Sequence, residues 1–178
     1  VVIGYIGSFV EYEGLDLLLE ACSILKEKHG DIFRLLLVGD GDTMQLLRRT
    51  ARFLQLEDQV VFTGRIPHDD VQRYYSLIDI APLPRKGLRV CELVSPLKPF
   101  EAMGAGKVLI TSSVQALAEI VQDGVTGMVF EKDNSEDLAA KLETAILDKE
   151  LRKNIGENAN KWVVENHSWD VISQRVTS

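Results

Sequence analysis

Apolar runs of strand length alternate along the chain with amphipathic segments of helix length. The predicted strands cover residues 1–6, 33–38, 60–62, 78–81, 108–110 and 127–130. The predicted helices cover residues 14–28, 43–53, 97–103, 134–147 and 150–164, with one more beginning at Pro67 and a short one ending at Val121. Apolar strands separated by amphipathic helices are typical of a parallel sheet covered on both faces, so we expect a Rossmann-like α/β fold.

Composition narrows the classes of protein that fit this pattern. The 178 residues are 46% hydrophobic and 26% charged, which suits one soluble domain with a real core. A net charge of −7 argues against a nucleic-acid partner or a broad anionic membrane surface. Cys22, on an apolar helix face, and Cys91, in a predicted loop, lack metal-type spacing, as do the three histidines. We therefore expect free thiols, no metal, and a cytoplasmic protein.

The two ends of the sequence interrupt this pattern. The chain begins inside an apolar strand without Met, and it stops after an unfinished helical pattern over residues 169–176. We therefore expect residues 1–178 to be one domain of a longer protein.

The segment SPLKPFEAMGAGK, residues 95–107, has the strongest chemical pattern. Ser95 is a natural N-cap for the helix at 97–103, and Lys98 lies in its first turn, where a phosphate would sit. Glu101, one turn later on the same face, suits the hydroxyl groups of a sugar such as ribose. The segment predicts a nucleotide or sugar-phosphate site, with a capped helix bearing solvated Lys and Glu as the alternative.

Several glycines follow predicted strands and should meet at one edge of the sheet. Gly39-Asp40-Gly41 resembles a phosphate loop but lacks the third glycine or the Lys-Ser/Thr of known motifs, so a tight turn is the simpler interpretation. Gly7-Ser8 could approach a phosphate, although Glu11 and Glu13 oppose that charge. Taken alone, it is interpreted as a turn.

Basic residues near the same edge are candidates for binding an anion. Arg65 follows the strand at 60–62 and could hold a base or phosphate, although an exposed arginine is the commoner outcome there. Arg85, Lys86 and Arg89 lie in a predicted long loop at 83–94. Long ordered loops are often functional, so we favour an anion role for at least one of these three.

Six segments together resemble the C-terminal domain of glycosyltransferase family 4, a group of retaining transferases with the GT-B fold. In chain order they are GYIGSFVEYEG, LLLVGDGD, VVFTGRIPHDDV, YYSLIDIAPLP, PLKPFEAMGAGK and DGVTGMVF. The resemblance implies a domain that binds a nucleotide-diphosphate sugar, such as a UDP- or GDP-sugar. A separate N-terminal domain, absent here, would bind the acceptor: a polysaccharide, a lipid or a small glycoside.

The same resemblance implies a mechanism and a setting. The sugar would be transferred with retention at its anomeric carbon and without a metal or other cofactor, and the isolated domain would transfer little. Attachment of the whole protein to the inner face of the membrane stays open. The combination of GSFxxYEG with PLKPFEAM resembles a subgroup linked to bacterial exopolysaccharide and exosortase systems.

The resemblance also assigns roles to individual residues. Glu101 matches the second glutamate of a paired motif, which holds the donor ribose. The first glutamate falls on Leu93, so the adjacent Glu92 becomes the candidate for the sugar contact. Gly39 and Gly41 match the glycine loop, and Arg65 and Ile66 match the segment that lies along the base. Backbone amides near Leu97 and Lys98 would meet the diphosphate, and Glu92 and Lys98 are the candidate catalytic residues.

The chain departs from the family at two charged positions near Gly7. Most members have an arginine and a lysine where this chain has Ser8 and Glu13. Both cations neutralise the diphosphate, so Lys98, Arg85 and Arg89 are the candidates to replace them. A binding or scaffold module without catalysis, or a GT-B sugar-nucleotide epimerase, are the alternatives.

Overall fold

The structure, a computed structural model, describes residues 1–167 and has one six-stranded sheet. The strands are β1 (Val2–Ile6), β2 (Arg34–Val38), β3 (Val60–Gly64), β4 (Ile80–Leu83), β5 (Val108–Ser112) and β6 (Met128–Phe130). Every neighbouring pair is parallel, and the spatial order is β3-β2-β1-β4-β5-β6. This confirms the Rossmann-like α/β fold predicted from the alternating pattern.

Helices cover the sheet because each strand is followed by a crossover segment. The helices are α1 (Leu15–His29), α2 (Met44–Phe53), α3 (Val71–Leu77), α4 (Arg89–Leu93), α5 (Lys98–Gly104), α6 (Gln115–Ala118), α7 (Ser135–Leu147) and α8 (Lys149–His167). Asn134 caps α7 as predicted, since its side chain accepts a hydrogen bond from the Asp137 N–H at 2.9 Å.

Three local predictions were wrong. The predicted loop at 83–94 contains α4, and Cys91 is buried in that helix. Ser95 does not cap α5, because the helix begins only at Lys98 and Leu97 occupies the cap position without a side-chain hydrogen bond. The short helix expected to end at Val121 already ends at Ala118. The helical pattern expected at 169–176 lies outside the described residues.

The strand order reverses beside β1. The chain runs from β1 outward to β2 and β3, then crosses back to place β4 on the other side of β1. In open parallel sheets, ligands bind outside the carboxyl ends of the strands at such a reversal. The residues directly after β1 and β4, beginning with Gly7 and Pro84, therefore flank the expected site.

The long helix α8 packs against α5, the helix that carries Lys98 and Glu101. The rings of Phe100 and Trp162 stack with their centroids 6.5 Å apart, and the Asn160 side chain donates a hydrogen bond to the Gly104 carbonyl at 2.6 Å. A Cβ added at Gly156 would lie 2.3 Å from the Gly106 carbonyl oxygen. Close packing of two backbones therefore fixes the position of α5.

Gly156→Ala should destabilise the protein by about 1–3 kcal/mol, the usual range for overpacking, because the new methyl group meets backbone that cannot move aside. The destabilisation by overpacking would act against the helix propensity of alanine, which normally favours alanine over glycine by ~1 kcal/mol inside a helix. Gly104→Ala is the matched control, since its Cβ would make ordinary contact 3.9 Å from Val163. Urea unfolding measures both, and equal stability of the two variants would contradict the close approach.

Candidate functional site

Two turns at the carboxyl ends of β1 and β2 are held against each other. The Gly7 N–H donates to the Val38 carbonyl and the Phe9 N–H to the Asp40 carbonyl, both at 2.9 Å. Gly39 has a positive φ of 138°, and a Cβ there would lie 1.8 Å from the Gly7 carbonyl oxygen. Only glycine fits this contact, so the turns present bare backbone at the sheet edge.

A cleft with a volume of about 330 Å³ opens over these turns. Its lining includes Gly7, Ser8, Gly39, Asp40, Arg65, Ile66 and His68. The Arg65 side chain is 85% exposed, with Nε 3.8 Å from the Asp40 carboxylate across the cleft. Gly41 lies beside the cleft, where its N–H donates to the Asp40 side chain at 2.8 Å.

A largely buried group of three charged residues and one tyrosine, which we call the Glu13 cluster, lies against the Gly7 turn. It consists of Glu13, Arg85, Lys98 and Tyr5. The Glu13 side chain is only 3% exposed, with Oε1 3.0 Å from Arg85 Nη2 and Oε2 3.1 Å from Lys98 Nζ. Lys98 Nζ also donates to the Tyr5 hydroxyl at 2.6 Å, and that hydroxyl donates to the Ser8 carbonyl at 3.1 Å.

Burial changes the acid–base properties of this cluster. It raises the pKa of Tyr5, and the nearby Glu13 carboxylate adds to that effect, so the phenol stays protonated. Burial also lowers the pKa of Lys98, while its contact with Glu13 acts in the opposite direction. The carboxylate therefore helps to keep the ammonium charged inside the protein.

Helix α5 presents Lys98 and Glu101 one turn apart. Glu101 is exposed, and its Oε2 accepts a hydrogen bond from the Tyr75 hydroxyl at 3.4 Å. Burial, followed by the Glu101 charge, raises the pKa of Tyr75, so this hydroxyl acts as a donor. The side chain of Leu97 is 75% exposed just before the helix. The carboxylate oxygens can accept hydrogen bonds from a ligand hydroxyl on the same side.

Comparison with known proteins shows which family the chain belongs to. A family model described as "Glycosyl transferases group 1" matches residues 1–162. The chain belongs to this glycosyltransferase family. An uncharacterized glycosyltransferase of Methanocaldococcus jannaschii is 28% identical over 98% of this chain and 43% of its own length. A GDP-mannose-dependent α-(1-6)-phosphatidylinositol monomannoside mannosyltransferase of Mycobacterium tuberculosis is 25% identical over 94% of the chain and 44% of its own length.

Solved structures give the same fold. The C-terminal domain of a glycosyl transferase group 1 family protein from Francisella tularensis aligns with a TM-score of 0.82 at 23% identity, covering 94% of this chain and 86% of that one. Anabaena HepE in complex with UDP-glucose aligns with a TM-score of 0.86 at 22% identity, covering 99% and 47%. The chain thus has the Rossmann-like α/β fold of the C-terminal domain of a GT-B glycosyltransferase. It spans less than half the length of the two curated relatives described above.

The structure gathers some of the residues that the family resemblance assigned, and separates others. Gly7, Ser8, Gly39, Arg65 and Ile66 share the cleft, and Lys98 lies against Gly7. Arg85, expected as a free diphosphate cation, is buried: its Nη1 donates to the Val94 carbonyl at 3.0 Å and its Nη2 to Glu13. Arg89 is exposed at the start of α4.

Glu92, the candidate for the sugar contact, lies on α4, and its carboxylate binds residues outside the cleft. Its Oε2 accepts the Gln115 N–H at the start of α6 at 2.6 Å, and Oε1 binds the Lys132 ammonium. The Gln115 N–H, followed by Lys132, lowers the pKa of Glu92. Both Asp133 carboxylate oxygens accept the Gly87 N–H at 3.1 Å. These bonds tie the 84–94 segment to residues 132 and 133.

Sequence reasoning missed several residues of this site. Tyr5 and Tyr75 were counted as strand and helix residues, although their hydroxyls contact Lys98 and Glu101. For Glu13 the sequence indicates only a charge opposing a phosphate, and the family resemblance only a lost cation; neither predicts that the side chain is buried between Arg85 and Lys98. A tyrosine at the carboxyl end of an otherwise apolar central strand was the available signal for Tyr5.

Residues 1–167 contain neither a metal-binding cluster nor a membrane-spanning helix. In this part of the chain no group of three or more histidine, cysteine or acidic residues is arranged to hold a metal ion. None of its helices has both the length and the apolar character that crossing a membrane requires.

Glu92→Gln should destabilise the domain at neutral pH and have progressively less effect in acid. A carboxylate whose pKa is lowered on folding stabilises the protein above its unfolded pKa, and this contribution is lost as the pH falls through the folded pKa. Urea unfolding of both proteins at several pH values between neutral and strongly acidic measures the difference. Glu20→Gln, at an exposed glutamate of α1, is the control. If the loss of stability caused by Glu92→Gln did not depend on pH, the ionised Glu92 carboxylate would not be the stabilising group.

Proposed function

We propose that this domain binds the nucleotide-diphosphate sugar donor of a glycosyltransferase, which transfers the sugar to an acceptor with retention at the anomeric carbon. The observation that carries the proposal is the juxtaposition of the Gly7–Gly39 cleft, the Lys98 ammonium and the Glu101 carboxylate at the strand-order reversal. Bare backbone admits a phosphate, a cation neutralises it, and a carboxylate binds hydroxyl groups.

The arrangement of these groups suggests how the donor lies. The base would occupy the cleft beside Arg65 and Ile66, and the ribose would bind Glu101 beside Tyr75. The diphosphate would then pass Gly7 towards Lys98. Protein cations replace a metal in this scheme. The acceptor would bind to a second domain, with a polysaccharide, a lipid or a small glycoside as the candidate classes.

The nucleotide sugars named for two similar proteins indicate which nucleotides to test on this domain. HepE was crystallised with UDP-glucose, and the mycobacterial mannosyltransferase uses GDP-mannose. Titration of this domain with UDP, GDP and ADP by calorimetry should give saturable binding of one of them. The absence of binding to all three would contradict the proposed function.

One specific feature favours a second candidate, a binding or scaffold module without catalysis. Ser8 and Glu13 stand where most of the family has cations, and Glu13 compensates the charge of Arg85. Nucleotide binding without sugar transfer by the full-length protein would support this alternative, whereas transfer would exclude it.

Glu101→Ala should weaken binding of the selected nucleotide by about 10- to 100-fold, because hydrogen bonds to a charged group contribute about 1.5–3 kcal/mol. The loss should be much smaller for the 2′-deoxy form of the same nucleotide if the carboxylate binds the ribose hydroxyls. Glu157→Ala, at an exposed glutamate of α8, is the control and should bind like the original protein. Equal losses for the ribose and deoxyribose forms would contradict this role.

A further inference from the structure

Glu13 is a buried carboxylate that the proposed function leaves unexplained. It ends a 3₁₀ turn, Glu11–Glu13, just before α1, and its side chain is almost completely enclosed. Burying a charge is unfavourable unless partners compensate it, and Glu13 has two, Arg85 and Lys98. With two cations and one carboxylate, and with Tyr5 neutral, the cluster keeps one excess positive charge.

The two cations of the cluster differ in how many of their hydrogen-bond donors already have a partner in the protein. Both Arg85 terminal nitrogens already donate, to the Val94 carbonyl and to Glu13, and the side chain is buried. Lys98 Nζ has three N–H groups, and one of them donates to the Tyr5 hydroxyl. A second N–H group faces Glu13 Oε2, which lies 3.1 Å from Nζ in an ion pair. The ammonium therefore retains one donor for a ligand.

The Lys98 ammonium lies next to a residue that lines the cleft. A Cβ at Gly7 would lie 2.5 Å from Lys98 Cε and 2.6 Å from Nζ, so the ammonium rests directly against the Gly7 backbone. Gly7 and Ser8 line the cleft. Lys98 is 21% exposed, so its charge reaches the surface beside the strand-order reversal. An anion placed there would complete the compensation of the cluster.

We propose that Glu13 is a positioning residue: its carboxylate holds the Lys98 ammonium against Gly7, where the ammonium binds the diphosphate of the nucleotide. This inference rests on the proposed function and adds the residue through which the diphosphate is recognised. Tyr5 contacts Nζ from the strand side, and the Arg85 guanidinium, 3.0 Å from Glu13 Oε1, holds the carboxylate in place. An acidic residue thus supports the binding of an anion by holding a cation.

The proposal makes a prediction opposite to that of simple electrostatics. If Glu13 acted only through its negative charge, Glu13→Gln would strengthen diphosphate binding. If it positions Lys98 and keeps it protonated, the variant should bind the diphosphate at least about tenfold more weakly at neutral pH, while binding of the nucleoside is unchanged. The loss should grow with pH, because burial then lowers the pKa of Lys98 without opposition from the carboxylate.

The test compares the selected nucleoside diphosphate (UDP, GDP or ADP) with its own nucleoside by calorimetry between pH 6 and 9. Lys98→Met should lose about tenfold or more in diphosphate affinity only, and Lys98→Arg should restore part of it. Adding Glu13→Gln to Lys98→Met should cause no further loss, because Glu13 acts through Lys98. Lys161→Met, which removes an exposed pair with Glu165 on α8 at 3.9 Å, is the control and should keep the original preference.

The outcomes separate this inference from the proposed function. Failure of the unaltered domain to bind any of the three nucleotides overturns both. Normal binding that Lys98→Met leaves intact, or tighter diphosphate binding by Glu13→Gln, overturns only the positioning role. If thermal unfolding shows that Glu13→Gln does not fold, Glu13→Asp replaces it. This variant keeps the charge but withdraws the carboxylate, and its diphosphate-specific loss should vanish in the Lys98→Met background.

Discussion

The arrangement of the candidate site depends on the compensation of one buried carboxylate. Glu13 precedes α1, Arg85 follows β4, and Lys98 begins α5, so their two ion pairs join three segments that are distant in sequence. Removing one partner of a buried pair typically destabilises a protein by about 3–5 kcal/mol, because the remaining charge is left uncompensated. These pairs therefore keep the segments around the strand-order reversal together.

Backbone and side chains contribute differently at this edge of the sheet. The Gly7 and Gly39 turns contact each other so closely that no side chain fits between them, which leaves an open surface of amides and carbonyls. The charged side chains approach from below and from α5. Helix α8 supports α5 through the stacking of Trp162 on Phe100. The shape of the cleft and its charge thus come from separate parts of the fold.

The fold could be predicted from the sequence because its strands and long helices carry clear apolar periodicity. The helices α4 and α6, with five and four residues, are too short to show a period. The glycine turns and Lys98 could be located because they follow strands or begin a helix. The roles of Glu13 and Arg85 could not, since these residues are 72 positions apart and a charge does not identify its partner in sequence. Glu92 is only the glutamate next to the motif position, which falls on Leu93, and its bonds to Lys132 and Gln115 depend on tertiary packing.

The mutual dependence of Glu13 and Lys98 also restricts how this domain can evolve. A lysine at position 13 alone would place three cations around one enclosed point, while loss of Lys98 alone would leave Glu13 with only Arg85. Contacting residues of this kind are energetically coupled, so the effect of one substitution depends on the other. We therefore expect a change of charge at position 13 or 98 to destabilise the domain less when a compensating change accompanies it than when it occurs alone.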